Sequence, residues 1–115
     1  MKVILDTNFL IDFLRFRIDP MELGGKEVFV LRQSIQELES VSKRGGTDAK
    51  LAGEAVIFAK TLRTLEDREK NADLSLLAYA KDGYAIATQD RDLKEAVRKA
   101  GGKVVVIRQQ KYLEW

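Results

Sequence analysis

The hydrophobic residues of this chain form short apolar runs that alternate with segments of helical periodicity. One uninterrupted run, Val3-Ile4-Leu5, stops at Asp6, and residues 28–31, 85–88 and 104–107 form three further runs of this kind. Short continuous runs rich in β-branched residues are typical of strands buried on both faces of a parallel sheet. The pattern therefore predicts four strands.

The segments between these runs have apolar residues at the spacing of amphipathic helices. Predicted helices cover residues 9–16, 34–43, 48–65, 72–81 and 92–100. Alternating strands and helices predict a single-domain α/β fold over residues 1–115, with three α/β/α layers and a mostly parallel, four- to five-stranded sheet. Right-handed crossovers favour the strand order 2-1-3-4, which brings the ends of strands 1 and 3 into one crevice.

The composition restricts the chemistry that this domain can perform. The chain has no cysteine and no histidine, which excludes disulfides, thiolate and imidazole metal sites, and a Ser-His-Asp relay. Any hydrolytic chemistry falls to carboxylates, lysines, tyrosines, hydroxyls and metal-bound water. No apolar run approaches the ~20 residues that cross a bilayer, and no signal peptide is recognisable, so we expect a cytoplasmic location and no membrane partner.

Four acidic residues are predicted to meet at the carboxyl end of the sheet. Asp6 and Asp90 follow strands 1 and 3, Glu37 lies in the first turn of the helix after strand 2, and Asp73 begins the helix before strand 3. Two carboxylates ~5 Å apart repel by roughly 3 kcal/mol at an effective dielectric of ~20, so four of them require protonation or a cation. Oxygen-only ligands select hard ions, which predicts Mg²⁺ or Mn²⁺.

Three of these acids also have a local structural explanation. Glu37 can form a capping box with Ser34, Asp73 can favour a helix N-terminus, and Asp90 can cap the helix that follows it. Asp6 is different, because we expect no capping role strong enough to offset the desolvation of an acid that ends a buried strand.

The ordered set of these motifs resembles the PIN-domain ribonuclease family. It consists of Val3-Ile4-Leu5-Asp6-Thr7-Asn8, the helical Glu37, and residues 72–77 and 88–93, and it extends over nearly the whole chain. The resemblance implies a metal-dependent endoribonuclease that hydrolyses RNA phosphodiester bonds. The implied catalytic and metal-binding acids are Asp6, Glu37, Asp73 and Asp90, with Asp92 as a more variable fifth metal ligand and with Asn8 and Thr88 as supporting residues.

Within that family two roles are compatible with the sequence. Residues 86–112 are similar to the PIN nucleases of small-subunit ribosomal RNA processing, whereas the VapC-type toxins of toxin–antitoxin pairs share the acids and the compact size. The first role implies a ribosome-assembly partner, and the second implies an antitoxin.

The charge distribution favours contact with a polyanion. The net charge is only +2, but residues 91–111 hold seven basic and two acidic residues, a local excess of five. The candidate nucleic-acid-binding residues are Arg91, Lys94, Arg98 and Lys111, with Tyr112 and Trp115 available to stack on unpaired bases. A solvated helix followed by a tail packed on its own domain is the alternative.

Two other function classes remain open. A phosphatase or phospho-acceptor on a similar sheet would need a second acid two residues after Asp6, where Asn8 stands. A non-catalytic RNA-binding or assembly module would have lost acids from the set, and Mn²⁺-induced thermal stabilisation would discriminate it from an enzyme.

Self-association is a further expectation. The segments 9–16 and 51–65 carry more apolar residues than we expect a short sheet to cover, and large exposed apolar patches usually mark interfaces. The candidate residues for a shared hydrophobic face are Phe13, Phe16, Ile57 and Phe58. A homodimer is expected, as the resemblance also implies, with an antitoxin or assembly factor as the alternative partner.

Overall fold

The computed structural model describes residues 1–115. The strands are β1 (Lys2–Leu5), β2 (Glu27–Leu31), β3 (Arg63–Leu65), β4 (Ala85–Ala87), β5 (Val104–Arg108) and β6 (Tyr112–Glu114). The helices are α1 (Thr7–Arg15), α2 (Arg32–Arg44), α3 (Ala49–Ala59), α4 (Ala72–Lys81) and α5 (Arg91–Lys99), with one 3₁₀ turn at Pro20–Leu23. None of these helices has both the length and the apolar character needed to cross a bilayer.

All six strands belong to one sheet with the order β3-β2-β1-β4-β5-β6. The pairs from β3 to β5 are parallel, and β6 runs antiparallel to β5. The predicted order 2-1-3-4 is confirmed as β2-β1-β4-β5. From β1 the chain first builds the sheet on one side, as β2 and β3, and then on the other side of β1, as β4 and β5. The switch point of the topology therefore lies between β1 and β4. Open α/β sheets bind ligands at the carboxyl ends of the strands at such a point.

Hydrophobic residues cover both faces of this sheet. Val3 and Leu5 of β1 belong to a core with α1, α2 and α3, whereas Ile4 packs with α4 and α5 on the other face. All three residues are fully buried, which explains the uninterrupted apolar run of a strand covered on both sides. The predicted three-layer α/β/α architecture is confirmed.

The prediction of four to five strands was too low, and one of the additional strands replaces the end of a predicted helix. We predicted a helix over residues 48–65, but α3 ends at Ala59, and Arg63–Leu65 forms the edge strand β3 beside β2. The hydroxyl of Thr61 donates to the Phe58 carbonyl at 2.6 Å, and its backbone N–H donates to the same oxygen. No glycine or proline marks this end of the helix, so the sequence carried no stop signal.

The other additional strand, β6, folds the C-terminal tail back onto the domain. The Leu113 N–H donates to Glu22 Oε1 at 2.8 Å, and the Leu113 side chain is buried. Trp115 packs against the core, with the Lys26 ammonium 4.6 Å from its ring centroid. Trp115 is half-buried, which favours the alternative of a tail packed on its own domain, whereas Tyr112 is exposed. The base-stacking role of both residues stays a prediction.

The hydrophobic face that we predicted for self-association is partly internal. Phe13 is fully buried and its ring stacks on Phe58 at 5.6 Å between centroids, so Phe13 belongs to the core of its own domain. Phe16 and Phe58 are half-buried, and only Ile57 is strongly exposed. The homodimer stays a prediction, with a smaller apolar face than the sequence indicated.

Candidate active site

Asp6 lies at the carboxyl end of β1, and both of its carboxylate oxygens accept hydrogen bonds. Oδ1 accepts from the Thr7 N–H at 2.7 Å, and Oδ2 accepts from the Thr88 hydroxyl at 2.9 Å. Asp6 is also the N-cap residue of α1, but this capping role does not offset the desolvation of its carboxylate, as expected. The side chain is nevertheless only 7% exposed, which is unusual for an aspartate without a cationic partner.

Burial dominates the electrostatics of Asp6. Desolvation raises its pKa to about 6 from 3.8, against the lowering effect of the bonds from Thr88 and Thr7. The carboxylates of Asp73 and Glu37 raise the same pKa further. The hydrogen bonds thus fail to compensate the buried charge, and no cationic side chain is close enough to Asp6 to lower its pKa.

Thr88, the residue that follows β4, connects Asp6 to Asp90. Its side chain is fully buried and donates to Asp6, while its Oγ1 accepts from the Asp90 N–H at 3.1 Å. Asp90 is exposed and caps α5, because its Oδ1 accepts from the Leu93 N–H at 2.8 Å. The capping role considered for Asp90 is real, and it leaves the second carboxylate oxygen without a protein partner.

Glu37 has no capping role, contrary to one of its two predicted explanations. Helix α2 begins at Arg32 instead of Ser34, which places Glu37 in the second turn and not in the first. The Ser34 hydroxyl is buried without a hydrogen-bond partner, so no capping box exists. Glu37 is exposed, and its Oε2 accepts a long bond of 3.3 Å from the Thr7 hydroxyl.

Asp73 lies in the first turn of α4, where an acid favours the helix N-terminus as considered, but it is not the N-cap residue. Asn71 is the N-cap residue of α4, and its side chain accepts from the Leu74 N–H at 2.9 Å. Partial burial raises the pKa of Asp73, and the nearby Asp90 carboxylate raises it further. Asp73 and Glu37 line one groove of about 510 Å³ together with residues 71, 72 and 74.

A second groove, of about 300 Å³, extends from Asp90 along α1. It is lined by Asn8, Ile11, Asp12, Arg15, Asp48, Gln89 and Asp90. Arg15 is its one cationic residue, and its guanidinium contacts Asp12 at 2.6 Å and Asp48 at 2.5 Å. Asn8 is exposed beside Asp90 in this groove.

The pairwise interactions connect the four acids predicted to be catalytic. Asp6 is perturbed by Glu37 and Asp73, and Asp73 is perturbed by Asp90. No three carboxylates are close enough together to hold one ion in this conformation. Asp92 is exposed in the first turn of α5 and perturbs neither Asp6 nor Asp73.

The donor set at this end of the sheet fits a hard divalent cation. Every ionisable group in it is a carboxylate, and oxygen ligands suit Mg²⁺ or Mn²⁺. Asp6 is fixed by two hydrogen bonds, whereas the exposed side chains of Glu37 and Asp73 accept at most one long bond and can turn towards an ion.

The basic residues predicted to bind nucleic acid lie on α5 and in the turn before β6. Arg91 forms an ion pair with Glu95 at 3.5 Å, whereas Lys94 and Arg98 form none. Lys111 is exposed in the turn between β5 and β6. Because α5 begins directly after Asp90, Arg91 and Lys94 lie in the part of the helix next to the candidate site, whereas Arg98 lies in its last turn.

Sequence reasoning missed three residues that shape this site. Thr7 contacts both Asp6 and Glu37, and its position between Asp6 and Asn8 was the available signal. Gln33 and Ser75 tie α2 to α4 through the loop between β3 and α4. No local sequence pattern indicates that contact, because the two residues are 42 positions apart.

Known proteins share both the sequence pattern and the fold of this chain. A family profile described as a PIN-like domain matches residues 3–110. Ribonuclease VapC4 of Methanocaldococcus jannaschii is 31% identical over 124 aligned positions, which cover 98% of this chain and 95% of the relative. The PIN domain endonuclease Utp24 superposes with a TM-score of 0.78 at 24% identity, over 98% of this chain and 90% of that one. The chain therefore belongs to the PIN-like domain family.

Proposed function

We propose that this protein is an endoribonuclease that depends on Mg²⁺ or Mn²⁺ and hydrolyses phosphodiester bonds of single-stranded RNA. The observation that carries the proposal is the buried Asp6 carboxylate, held by Thr7 and Thr88 and perturbed by Glu37 and Asp73. Its raised pKa shows that the ionised carboxylate is unfavourable in the folded protein, and carboxylates perturbed by burial and by neighbouring acids are typical of functional sites. The 31% identity between this chain and a ribonuclease, over nearly the full length of both, supports the same activity.

The proposed metal ligands are Asp6, Glu37, Asp73 and Asp90, with Asp92 as a variable fifth. A divalent ion bound there supplies a Lewis acid for the phosphoryl oxygens and acidifies water. Thr7 and Thr88 hold the Asp6 carboxylate in one orientation by donating to its two oxygens. Asp90 keeps one oxygen on the α5 N-terminus, which leaves the other oxygen for the ion.

The biological role that we propose is RNA cleavage either in RNA processing or as the toxin of a toxin–antitoxin pair. The relative named as a VapC ribonuclease supports the ribonuclease activity that both roles share. An antitoxin or a ribosome-assembly factor is accordingly the proposed protein partner, besides the RNA substrate and a second copy of the chain.

Cleavage of a fluorescent single-stranded RNA by the purified chain tests the proposal. We expect cleavage with Mn²⁺ or Mg²⁺ and none with excess EDTA. Glu37→Gln should reduce the rate by about 10- to 100-fold, since it removes a ligand charge while keeping the side-chain size. Glu39→Gln is the matched control, because it makes the same change two residues away on α2 and should leave the rate within twofold.

Two outcomes would contradict the proposal. Cleavage that persists in EDTA, or that is equally fast with Glu37→Gln, would indicate a contaminating nuclease. RNA binding without cleavage, together with no Mn²⁺-induced rise in melting temperature, would identify the non-catalytic RNA-binding module instead.

Salt dependence tests the proposed RNA contacts of α5. Lys94 and Arg98 lack ion-pair partners and lie on the helix that begins after Asp90. If each contacts a phosphate, the double variant Lys94→Gln/Arg98→Gln should reduce the slope of log affinity against log salt by about 1.4, at ~0.7 per contact for a single strand. Affinity is measured by fluorescence anisotropy in EDTA, where cleavage does not occur.

A charge-matched variant provides the control for the salt experiment. Lys50→Gln/Lys60→Gln removes two exposed charges from α3 and its end, on the opposite face of the sheet from α5. An equal change of slope in both double variants would show that α5 contributes only through net charge.

A further inference from the structure

The N-terminus of α2 is capped by a side chain from a distant part of the chain. Its N-cap residue, Leu31, has no side-chain acceptor to offer the first N–H groups of the helix. The Gln33 N–H instead donates to Asp67 Oδ1 at 2.9 Å, and Asp67 belongs to the loop between β3 and α4. A carboxylate at this position satisfies an orphan donor and interacts favourably with the helix dipole.

The same loop is held by a second set of hydrogen bonds around Ser75. This hydroxyl is fully buried in α4, accepts from the N–H groups of Arg68 (3.1 Å) and Glu69 (2.9 Å), and donates to Gln33 Oε1 at 3.0 Å. The Gln33 Nε2 donates to the Glu69 carbonyl at 3.1 Å. We call Gln33, Asp67 and Ser75, with the Arg68 and Glu69 backbone, the clasp.

The clasp joins the two helices that carry the exposed acids of the candidate site. Glu37 lies one turn after Gln33 on the same side of α2, and Asp73 lies two residues before Ser75 in the first turn of α4. Both acids line the same groove. Neither is hydrogen-bonded to the clasp, so the clasp influences them through the helix backbones alone.

These acids have little else that fixes their separation. Glu37 accepts one bond of 3.3 Å from Thr7, and both side chains are exposed. Their distance from each other therefore depends on how α2 and α4 are joined at this end. The clasp provides the hydrogen bonds that join the start of α2 to the start of α4.

We propose that Asp67, Gln33 and Ser75 are positioning residues that set the spacing of Glu37 and Asp73 and thereby the affinity for the divalent cation. This proposal rests on the proposed function of the site. The clasp residues contact neither the ion nor RNA. A purely structural role predicts a loss of stability without a change in the metal affinity of the folded protein.

Mn²⁺ titration by calorimetry separates these roles, on the full chain at a temperature well below each variant's melting point. Asp67→Ala and Ser75→Ala should each weaken Mn²⁺ binding by about 10- to 100-fold, the range for residues that orient metal ligands. Asp67→Asn should restore affinity to within twofold, because it keeps the acceptor oxygen for the Gln33 N–H.

Arg32→Gln is the matched control. Arg32 pairs with Glu66 at 2.6 Å across the same helix start and loop, but this pair is exposed and lies outside the clasp. Its Mn²⁺ affinity should equal that of the wild type, as expected for a surface ion pair of little energetic value.

The outcomes distinguish the clasp from the site itself. If the wild type binds Mn²⁺ and the two alanine variants bind it equally well, the clasp proposal is overturned and the metal site stands. If the wild type binds no Mn²⁺, the proposed metal site fails and the clasp proposal fails with it. Should Ser75→Ala fail to fold, the pair Asp67→Ala and Asp67→Asn decides alone, since Asp67 lies at the surface end of the clasp.

Discussion

Asp6→Asn is expected to reduce the rate of RNA cleavage by on the order of 100-fold or more. The substitution removes the most buried carboxylate of the proposed metal site, and loss of one preorganised electrostatic group commonly has an effect of this size. It should also abolish the Mn²⁺-induced rise in melting temperature, since the ion would lose its central ligand. Initial rates on labelled RNA and melting curves with and without Mn²⁺ measure the two effects.

Asp90→Asn is the companion variant for this experiment. Asparagine is as good an N-cap residue as aspartate, so the bond to the Leu93 N–H and the start of α5 are preserved. We expect a comparable loss of cleavage with a metal-free melting temperature within a few degrees of the wild type. Full activity of either variant would exclude that carboxylate from the proposed site.

The second large effect concerns stability in the absence of metal. Asp6 has a folded-state pKa of about 6 against an ordinary value of 3.8, so the folded protein binds this proton more tightly than the unfolded chain does. Below pH ~4 the Asp6 carboxyl is protonated in both states and does not lower the free energy of unfolding. As the pH rises, ionisation of the buried carboxyl lowers the free energy of unfolding, and the full loss is reached above pH ~6. A difference of about two pKa units corresponds to about 3 kcal/mol.

The Asp6→Asn variant isolates this contribution from those of the other acids. In EDTA, its free energy of unfolding should equal or fall below that of the wild type at pH 4 and exceed it at pH 7.5, a relative change of about 3 kcal/mol. Urea unfolding across this pH range measures the difference. The groups that face Asp6 are Thr7, Thr88, Glu37 and Asp73, and none of them offers a compensating positive charge. A difference that does not vary with pH would show that Asp6 stays ionised without cost.

Local pattern was sufficient to predict the parallel core of this fold. The apolar run Val3-Ile4-Leu5 is buried on both faces because β1 is central, and that burial explains why no polar residue interrupts it. The strands β3 and β6 have three residues each and lie at the edges of the sheet. Most of their side chains are exposed, so neither strand has a run of apolar residues in the sequence. Short edge strands are defined by their partners, which a linear pattern does not contain.

The start of α2 illustrates the same limit within the candidate site. Ser34 and Glu37 have the spacing of a capping box, and the sequence offered no competing cap. The actual cap, Asp67, lies 34 positions from Gln33 and extends the helix back to Arg32. The placement of the acids at one end of the sheet was predictable from the strand order, because Asp6 and Asp90 follow β1 and β4 and because Glu37 and Asp73 lie near the starts of α2 and α4. The contacts that orient them depend on tertiary structure.

The bond between Thr88 and Asp6 has a consequence for the order of events during protein synthesis. Its partners are 82 positions apart, and β4 must insert beside β1 before the hydroxyl can reach the carboxylate. A nascent chain that has exposed only residues 1–81 holds Asp6, Glu37 and Asp73 but lacks both Thr88 and Asp90. The proposed cleavage centre therefore cannot assemble until the chain has been synthesised past Asp90.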